Sequence, residues 1–183
     1  VLKLETDVPY QNFPKNVESI GDQAFRGCAM LQEIELPASL TTLGSQVFRG
    51  CKALQFGIDY DNRNFTVKDN ILYSYNRNIL YSAPNAVGSI QLLCYTKSIA
   101  DYAFADNTAL TGLLAWGVLT TVGEHAFEGC TALEEFFFLG KAPAIGEDAF
   151  KGVTATGLYL EDQSGWSDVI QSTYGGNITW KVR

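Results

Sequence analysis

Short stretches of alternating apolar and polar residues recur along the chain. In the first, Leu31, Ile34 and Leu36 are apolar, whereas Glu33 and Glu35 between them are acidic. The same spacing recurs twice, at Leu110, Leu113 and Ala115 and at Leu133, Phe136 and Phe138. Alternation over about six residues is typical of a short β-strand with one buried face. The pattern therefore predicts short strands with these apolar residues inward and the glutamates outward.

A second motif, an aliphatic residue followed five residues later by phenylalanine, occurs five times. The pairs are Ile20–Phe25, Leu43–Phe48, Ile99–Phe104, Val122–Phe127 and Ile145–Phe150. Successive copies lie 23, 56, 23 and 23 residues apart. A fixed period of this length indicates a solenoid, in which each coil buries its apolar face against its neighbours.

Each coil is expected to contain one strand of a parallel sheet and one tight return turn. The phenylalanine would fill the space between the two walls, and the glycine that follows it would permit a sharp bend. The segment from Asp22 to Phe25 is interpreted as one turn of 3₁₀- or α-helix, because an acidic residue in the first turn suits a helix N-terminus.

The interval of 56 residues equals one repeat of 23 plus a unit of 33 residues. That unit carries Val87, Ile90 and Leu92 at the offsets of an inward-facing strand, so about ten residues are inserted and the phenylalanine motif is lost. The insert falls within 59–84. Its alternating runs and the Asn76-Arg77-Asn78 sequence predict a β-hairpin or small meander with an asparagine-rich turn.

The repeat resembles the BspA-like leucine-rich repeats of bacteria, over residues 17–58 and 86–160, and the insert at 64–74 resembles a recurring unit of the same family. The resemblance implies a right-handed leucine-rich-repeat solenoid, an α/β superhelix that is mostly β with short helical turns. It also implies a secreted or cell-surface protein of a host-associated bacterium, sometimes adhesive, with no catalytic residues to transfer.

We divide the chain into an N-terminal cap or truncated repeat at 1–16, the repeat array at 17–160 and a C-terminal cap at 161–183. The last segment leaves the period and contains Trp166, Tyr174 and Trp180. A cap is expected there because an open solenoid end would expose apolar surface and strand edges.

Composition narrows the possible partners. The 183 residues have a net charge of -7, which argues against binding nucleic acid or an anionic membrane. No run of 18 apolar residues exists, so no membrane span is expected in this chain. No signal peptide is recognised and the chain starts at Val1, so we expect a mature or trimmed form. An extracellular or surface location is what the resemblance to the BspA-like repeats implies.

No cofactor, metal or catalytic site is predicted. Cys28, Cys51 and Cys130 occupy one repeat position, which Asn107 shares, and this favours a ladder of small buried groups that meet backbone carbonyls. A disulfide between Cys28 and Cys51 is the less favoured alternative. His125 is the only histidine and is expected to point to solvent. The run from Asp59 to Asn64 comes nearest to a calcium loop but lacks its glycine and its later glutamate.

The outward strand positions are the candidate site, on the face that we expect to be concave. They are Glu33, Glu35, Leu114, Trp116, Glu135 and Phe137. Exposed apolar residues on neighbouring strands would form a partner-binding patch. The alternative is that the hairpin or the C-terminal cap covers them. A second candidate surface is the set of tyrosines in and beside the insert, Tyr60, Tyr73, Tyr75 and Tyr81.

Three functions fit this pattern. The first is a protein-binding or adhesion module, whose partner could be an extracellular protein of a host. The second is a glycan-binding module that stacks tyrosine and tryptophan rings on sugars. The third is a structural spacer within a larger surface protein, for which the face would be uniformly polar.

Overall fold

A computed structural model describes residues 9–183, a β-solenoid of about seven turns with almost no helix. Residues 1–8 of the proposed N-terminal cap lie outside the described residues. The predicted leucine-rich-repeat solenoid with a period near 23 residues is confirmed.

The strands are short and follow one another closely along the chain. The first eight are β1 (Tyr10–Asn12), β2 (Ser19–Ile20), β3 (Glu33–Leu36), β4 (Thr42–Leu43), β5 (Gln55–Ile58), β6 (Phe65–Lys68), β7 (Ile71–Ser74) and β8 (Ile79–Ser82). The remaining elements are β9 (Gly88–Gln91), β10 (Ser98–Ile99), β11 (Leu110–Ala115), β12 (Thr121–Val122), β13 (Glu135–Phe138), β14 (Ala144–Ile145), β15 (Thr154–Tyr159), α1 (Trp166–Val169) and β16 (Asn177–Val182).

These strands form two walls, and each wall is interrupted once. The first wall consists of a sheet β1-β3-β5 and a sheet β9-β11-β13-β15-β16, and the second of β2-β4 and β6-β7-β8-β10-β12-β14. All pairs except those within β6–β8 are parallel, as expected when each coil repeats the last. Both interruptions fall where the insert replaces part of a coil.

The predicted inward trio of each repeat is buried. Leu31, Ile34 and Leu36 lie in the core, while Glu33 and Glu35 are exposed. The corresponding trios of β11 and β13 are buried too. The period-two pattern is therefore a reliable indicator of the buried face here.

The inward assignment of Val87 was wrong, because this side chain is 73% exposed. Gly88 has a φ of 72° and lies opposite Leu110, and the register then shifts between Leu110 and Gly112. The coil that contains Val87 is shorter than its neighbours, so a residue at the same sequence offset does not occupy the same place in the coil. Leu92 is buried as predicted, and Ile90 is half-buried.

The predicted helical turn after each short strand was also wrong. Gln23 has a φ of 58°, in the left-handed region, and its N–H donates to Ser45 O of the next coil at 2.8 Å. A residue in that conformation interrupts a right-handed helix. The same position is left-handed in the other coils, at Gln46, Tyr102, His125 and Asp148. The segment is therefore a turn that bonds from coil to coil.

Phenylalanines stack through the interior between the walls. The ring centroids of Phe104 and Phe127 lie 4.9 Å apart, and those of Phe127 and Phe150 lie 5.2 Å apart. Phe25 and Phe48 stack in the same way on the other side of the insert, at 5.7 Å. Close packing of large rings supplies much of the apolar burial that holds the coils together.

The cysteine position forms the predicted ladder of buried groups. The Cys51 thiol donates to Phe25 O at 3.0 Å, and the Cys130 thiol donates to Phe104 O at 3.1 Å. Burial raises the pKa of each of these two thiols to about 12. Because Cys51 is a thiol hydrogen-bonded to a carbonyl, the less favoured disulfide to Cys28 is not present.

Asn107 occupies the same repeat position as these cysteines and makes more hydrogen bonds to the backbone than they do. Its side-chain amide donates to Ala83 O and Ala86 O, and its oxygen accepts from the N–H groups of Ala109 and Leu110. All four hydrogen-bonding positions of the buried amide are therefore occupied. Asparagine replaces cysteine here without leaving a buried polar group unpaired.

The insert is the predicted antiparallel meander. β6 pairs with β7 and β7 with β8, and Arg77 has a φ of 60° in the asparagine-rich turn. β8 then joins the second wall parallel to β10. Leu72 packs in the core of the N-terminal coils, while Ile71 and Tyr73 pack in the C-terminal core. Strand β7 thus separates two cores and contributes to each.

The C-terminal segment covers the last regular coil. β16 pairs with β15 along six residues, and Trp166 and Trp180 contact Phe138 at centroid distances of 5.9 and 6.5 Å. Trp166 Nε1 donates to Gly140 O, so its one polar atom is satisfied while the ring is buried. We retain as a proposal that 161–183 is a cap and that the array occupies 17–160.

The phenylalanine stack predicts a large effect of one truncation. Phe127→Ala removes the middle ring of three and is expected to lower the free energy of unfolding by about 3–5 kcal/mol. Urea denaturation followed by circular dichroism measures this. The exposed Val118→Ala, near the same coil, should change stability by less than about 0.5 kcal/mol. Equal effects of the two variants would contradict the stacking role.

The thiol environments predict two classes of reactivity. Cys94 is exposed, whereas Cys51 and Cys130 are buried with raised pKa values and stay protonated up to high pH. At about pH 8 a disulfide reagent should label Cys94 rapidly and the buried thiols only as the chain unfolds. Cys94→Ser should abolish the rapid phase. Rapid labelling that survives this substitution would overturn the assignment.

Candidate functional site

The outer face of the sheet β9-β11-β13-β15-β16 carries a row of side chains aligned by strand register. Leu114 lies opposite Phe137, and Phe137 lies opposite Leu158. The row begins at Gln91 and ends at Lys181. Three apolar residues are therefore adjacent on a face that ordinary strand alternation would leave polar, although Leu158 is only 9% exposed.

Leu114 and Phe137 are half-buried, and they line a recess of about 460 Å³. The Arg183 guanidinium carbon lies 5.1 Å from the centre of the Phe137 ring. This cation–π contact contributes about 0.5–1 kcal/mol at an exposed position. The C-terminal segment thus covers part of Phe137, as one of the alternatives anticipated, and leaves the rest accessible.

Glu135 is exposed in the next row of the same face. Its register neighbours are Gly112 and Thr156, and Glu134 and Glu135 both line the recess. A Cβ on Gly112 would lie 2.6 Å from Ser89 Oγ, so the absence of a side chain there keeps the floor low. The recess is therefore lined by the apolar Leu114 and Phe137, by the carboxylates of Glu134 and Glu135 and by Arg183.

Trp116 follows the end of β11 and is 38% exposed. Its carbonyl accepts a hydrogen bond from the Leu119 N–H at 3.0 Å, which fixes the turn after the strand. A large amphipathic ring held just after the end of the strand suits a contact residue.

Glu33 and Glu35 lie on the other sheet of the first wall, apart from the recess. Their register neighbours are Tyr10 and Asn12, and the four residues line a smaller recess of about 160 Å³. The structure therefore brings Leu114, Glu135 and Phe137 together and places the two N-terminal glutamates in a separate polar group.

Leu158 and Arg183 belong to this face and were not predicted. Leu158 lies within β15 (Thr154–Tyr159), and the sequence of this strand lacks the leucine pattern of the earlier repeats. Arg183 directly follows β16 (Asn177–Val182), in which Ile178, Trp180 and Val182 alternate with polar residues. Counting residues along that alternating run was the one sequence signal that could have placed Arg183 on this face.

The tyrosines of the insert region do not form the second candidate surface. Tyr60 and Tyr75 are exposed, but Tyr73 is buried and Tyr81 is half-buried against Phe65. Burial raises the pKa of Tyr73 to about 12. The alternation that suggested strands also divides these rings between the two faces.

His125 does not point to solvent as predicted. Its ring stacks on Tyr102 with centroids 4.8 Å apart, and Nδ1 lies 3.1 Å from Glu128 Oε2 without the alignment of a hydrogen bond. Within residues 9–183, no three His, Cys, Asp or Glu side chains converge as metal ligands would. Asn62, in the run that resembled a calcium loop, is buried and donates to Pro37 O and Leu40 O.

Solved structures resemble this fold at low identity. The pneumococcal vaccine antigen PcpA gives a TM-score of 0.61 at 18% identity, covering 91% of this chain and 60% of that one. A leucine rich cell surface protein from Faecalibacterium prausnitzii gives 0.63 at 20% identity, covering 92% and 52%. A leucine-rich repeat protein from Eubacterium ventriosum gives 0.58 at 19% identity, covering 81% and 46%. This chain spans less than two thirds of each, and at such identity the likeness concerns the fold.

The sequence family is defined by its repeats. The profile of the BspA type leucine rich repeat region matches residues 5–95 and 61–157, in six copies. No curated protein matches the chain in sequence. No helix in the described part of the chain has the length and apolar character needed to cross a membrane. Leucine-rich repeats generally mediate protein interactions, and their fold is typically non-catalytic. With more than half of its residues matched, this chain belongs to the BspA type leucine rich repeat family.

Proposed function

We propose that this chain is a non-catalytic protein-binding module that contacts its partner through the outer face of the sheet β9-β11-β13-β15-β16. The observation that carries the proposal is the pair Leu114 and Phe137, two half-buried apolar residues side by side on an outward face, with the buried Leu158 next to them in register. Trp116, 38% exposed, lies two residues beyond Leu114, just after the end of β11. Apolar rows of this kind supply the water-excluding centre of protein interfaces.

The chemistry around the row favours a protein over a nucleic acid. The chain carries a net charge of -7, and Glu134 and Glu135 border the recess. Arg183 is engaged over the Phe137 ring. A partner with an apolar anchor and a neutral or basic rim complements this arrangement.

The proposed location is outside the cell or on its surface, and the proposed role is adhesion. Two observations support this: one structural neighbour is named as a cell surface protein and another as a vaccine antigen. The partner would then be an extracellular protein, including one from a host. Since this chain spans only part of those neighbours, the role of the whole protein is part of the proposal.

Binding of the purified chain to immobilised extracellular-matrix proteins tests this proposal, with a glycan array in parallel. We expect saturable binding to at least one protein. Leu114→Glu places a charge in the apolar row, and Trp116→Ala removes its exposed ring. Each should weaken binding by about 2 kcal/mol or more, roughly thirtyfold.

Glu33→Gln, on the separate N-terminal sheet, is the matched control and should bind like the unaltered chain. Thermal melting of each variant separates lost contact from lost fold. Saturable glycan binding with no protein bound would replace the proposal with the glycan-binding function. Silence of the folded chain on both surfaces would favour the spacer function instead.

A further inference from the structure

The coil that contains the insert is two residues short in its turn. Leu80 lies opposite Ile99, as Ile99 lies opposite Val122, so Leu80 holds the aliphatic position of the repeat. The Ala83 N–H donates to Ala103 O at 2.8 Å, as the Phe104 N–H donates to the next coil, so Ala83 holds the phenylalanine position. These two positions are five residues apart in the other coils and three apart here.

The missing residues interrupt the ladder of hydrogen bonds that links successive turns. In intact coils the Gln23 N–H donates to Ser45 O at 2.8 Å and the Tyr102 N–H to Glu124 O at 3.0 Å. The equivalent N–H groups of Gln46 and Phe48 make no hydrogen bond with any residue from 9 to 183. The carbonyl of Asp101, at the position of Ser45 and Glu124, accepts none there either. The N–H groups of Gln46 and Phe48 therefore lie on one side of the short turn and the carbonyl of Asp101 on the other, and the backbone that would bond to both in an intact coil is missing between them.

A glycine position of the repeat gives independent evidence of open space. A Cβ added to Gly44 would lie 2.4 Å from Asp22 N, and one added to Gly123 would lie 2.5 Å from Asp101 N. Each contact is with backbone of the preceding coil, so only glycine fits. The equivalent residue after the short coil is Ala100, which is half-buried and carries a Cβ. The backbone that excludes a side chain elsewhere is missing at this place.

The resulting notch lies between the coil 43–49 and the coil 100–102. It has a volume of about 220 Å³, and its floor is formed by Tyr81 and Ser82. We use the term notch for this cleft below.

Arg49 ties the two sides of the notch together. Its guanidinium bonds Asp106 through Nε at 2.7 Å and Glu128 through Nη1 at 3.3 Å, and it lies 5.3 Å from the Tyr102 ring centre. The side chain is only 11% exposed, and its hydrogen bond to Asp106 raises its pKa despite burial. The notch is therefore held open by a fixed bridge, and the Arg49 charge is already balanced by two carboxylates.

We propose that the notch binds a short extended stretch of polypeptide backbone from a protein partner, which completes the missing rung. A partner carbonyl accepts from the Gln46 or Phe48 N–H, and a partner N–H donates to Asp101 O. This is addition of a strand to an open edge. A simple anion fits poorly, because the opposite side is an acceptor and Asp101 lies at the rim. The site is separate from the outer-face row, so the two proposals can fail independently.

Amide hydrogen exchange measured by NMR tests the open rung without a ligand. The amides of Gln46 and Phe48 should exchange at least tenfold faster than those of Gln23 and Phe25, which occupy the same positions in an intact turn. Equal protection of the two pairs would show that the rung is closed, and it would end the proposal.

A displayed library of linear hexapeptides is the binding probe. It is selected on the unaltered chain and on Ala100→Leu, whose longer side chain fills the notch. We expect enriched peptides to lose at least tenfold in affinity on Ala100→Leu. Ala100→Gly, which restores the residue of the other coils, should retain binding. The bound peptide should slow exchange at the Gln46 and Phe48 amides.

Leu114→Glu separates this proposal from the outer-face proposal, since it should leave peptide affinity within twofold. Thermal melting shows whether Ala100→Leu is folded. If this variant does not fold, amide exchange at Gln46 and Phe48 in the unaltered chain, measured with and without peptide, still tests the proposal. Peptides that bind Ala100→Leu equally well, or that leave both amides unprotected, would overturn the proposal. A library without any enriched peptide would overturn it as well.

Discussion

The stability of each coil depends on hydrogen bonds from its backbone N–H groups, which point toward the next coil, to carbonyl groups of that coil. The turns show this directly, with bonds such as Phe127 N–H to Ala149 O at 2.8 Å. A buried N–H without a partner costs about 1–3 kcal/mol, so two adjacent coils must keep equal path lengths. The stacked phenylalanines and the cysteine ladder follow from this constraint, because equal paths place equal residues in line.

The insert is the place where equal path length fails, and the chain compensates with side chains that imitate backbone. In the first wall, Asn70 accepts from the Phe56 N–H at 2.7 Å and donates to Leu54 O at 2.8 Å, as a neighbouring strand would. Asn85 also donates to Leu54 O. Between the turns, Arg49 reaches Asp106 across the short coil. These polar groups substitute for backbone contacts that the meander does not supply.

The sequence was informative where side-chain type and spacing decide the outcome. Strand alternation identified buried residues such as Ile34 and Phe136, and the recurring phenylalanine identified the coil period. It failed at Gln23 and Val87, because there the position is decided by a left-handed φ and by path length. A glutamine in the sequence does not indicate a positive φ, whereas a glycine often does. Nothing local to Val87 reveals that its coil is short.

The candidate site was half-predictable for the same reason. Outward positions follow from alternation, so Leu114 and Phe137 could be named from the sequence. Their neighbour Arg183 depends on the register of β16 against β15, which is a tertiary fact. The notch depends on a comparison of coils that the sequence obscures, since the insert makes the short coil look long.

A regular repeat satisfies its own backbone and offers partners only what its outward side chains carry. Binding specificity in such a fold therefore concentrates where the repeat departs from its rule. On the outer face the departure is one of composition, because leucine and phenylalanine stand where glutamate stands in the first coil. At the notch the departure is one of length, and it leaves backbone groups on both sides without a hydrogen-bond partner among residues 9–183. The outer face offers a partner apolar area. The notch offers directional hydrogen bonds, which fix the orientation of the peptide backbone that binds there.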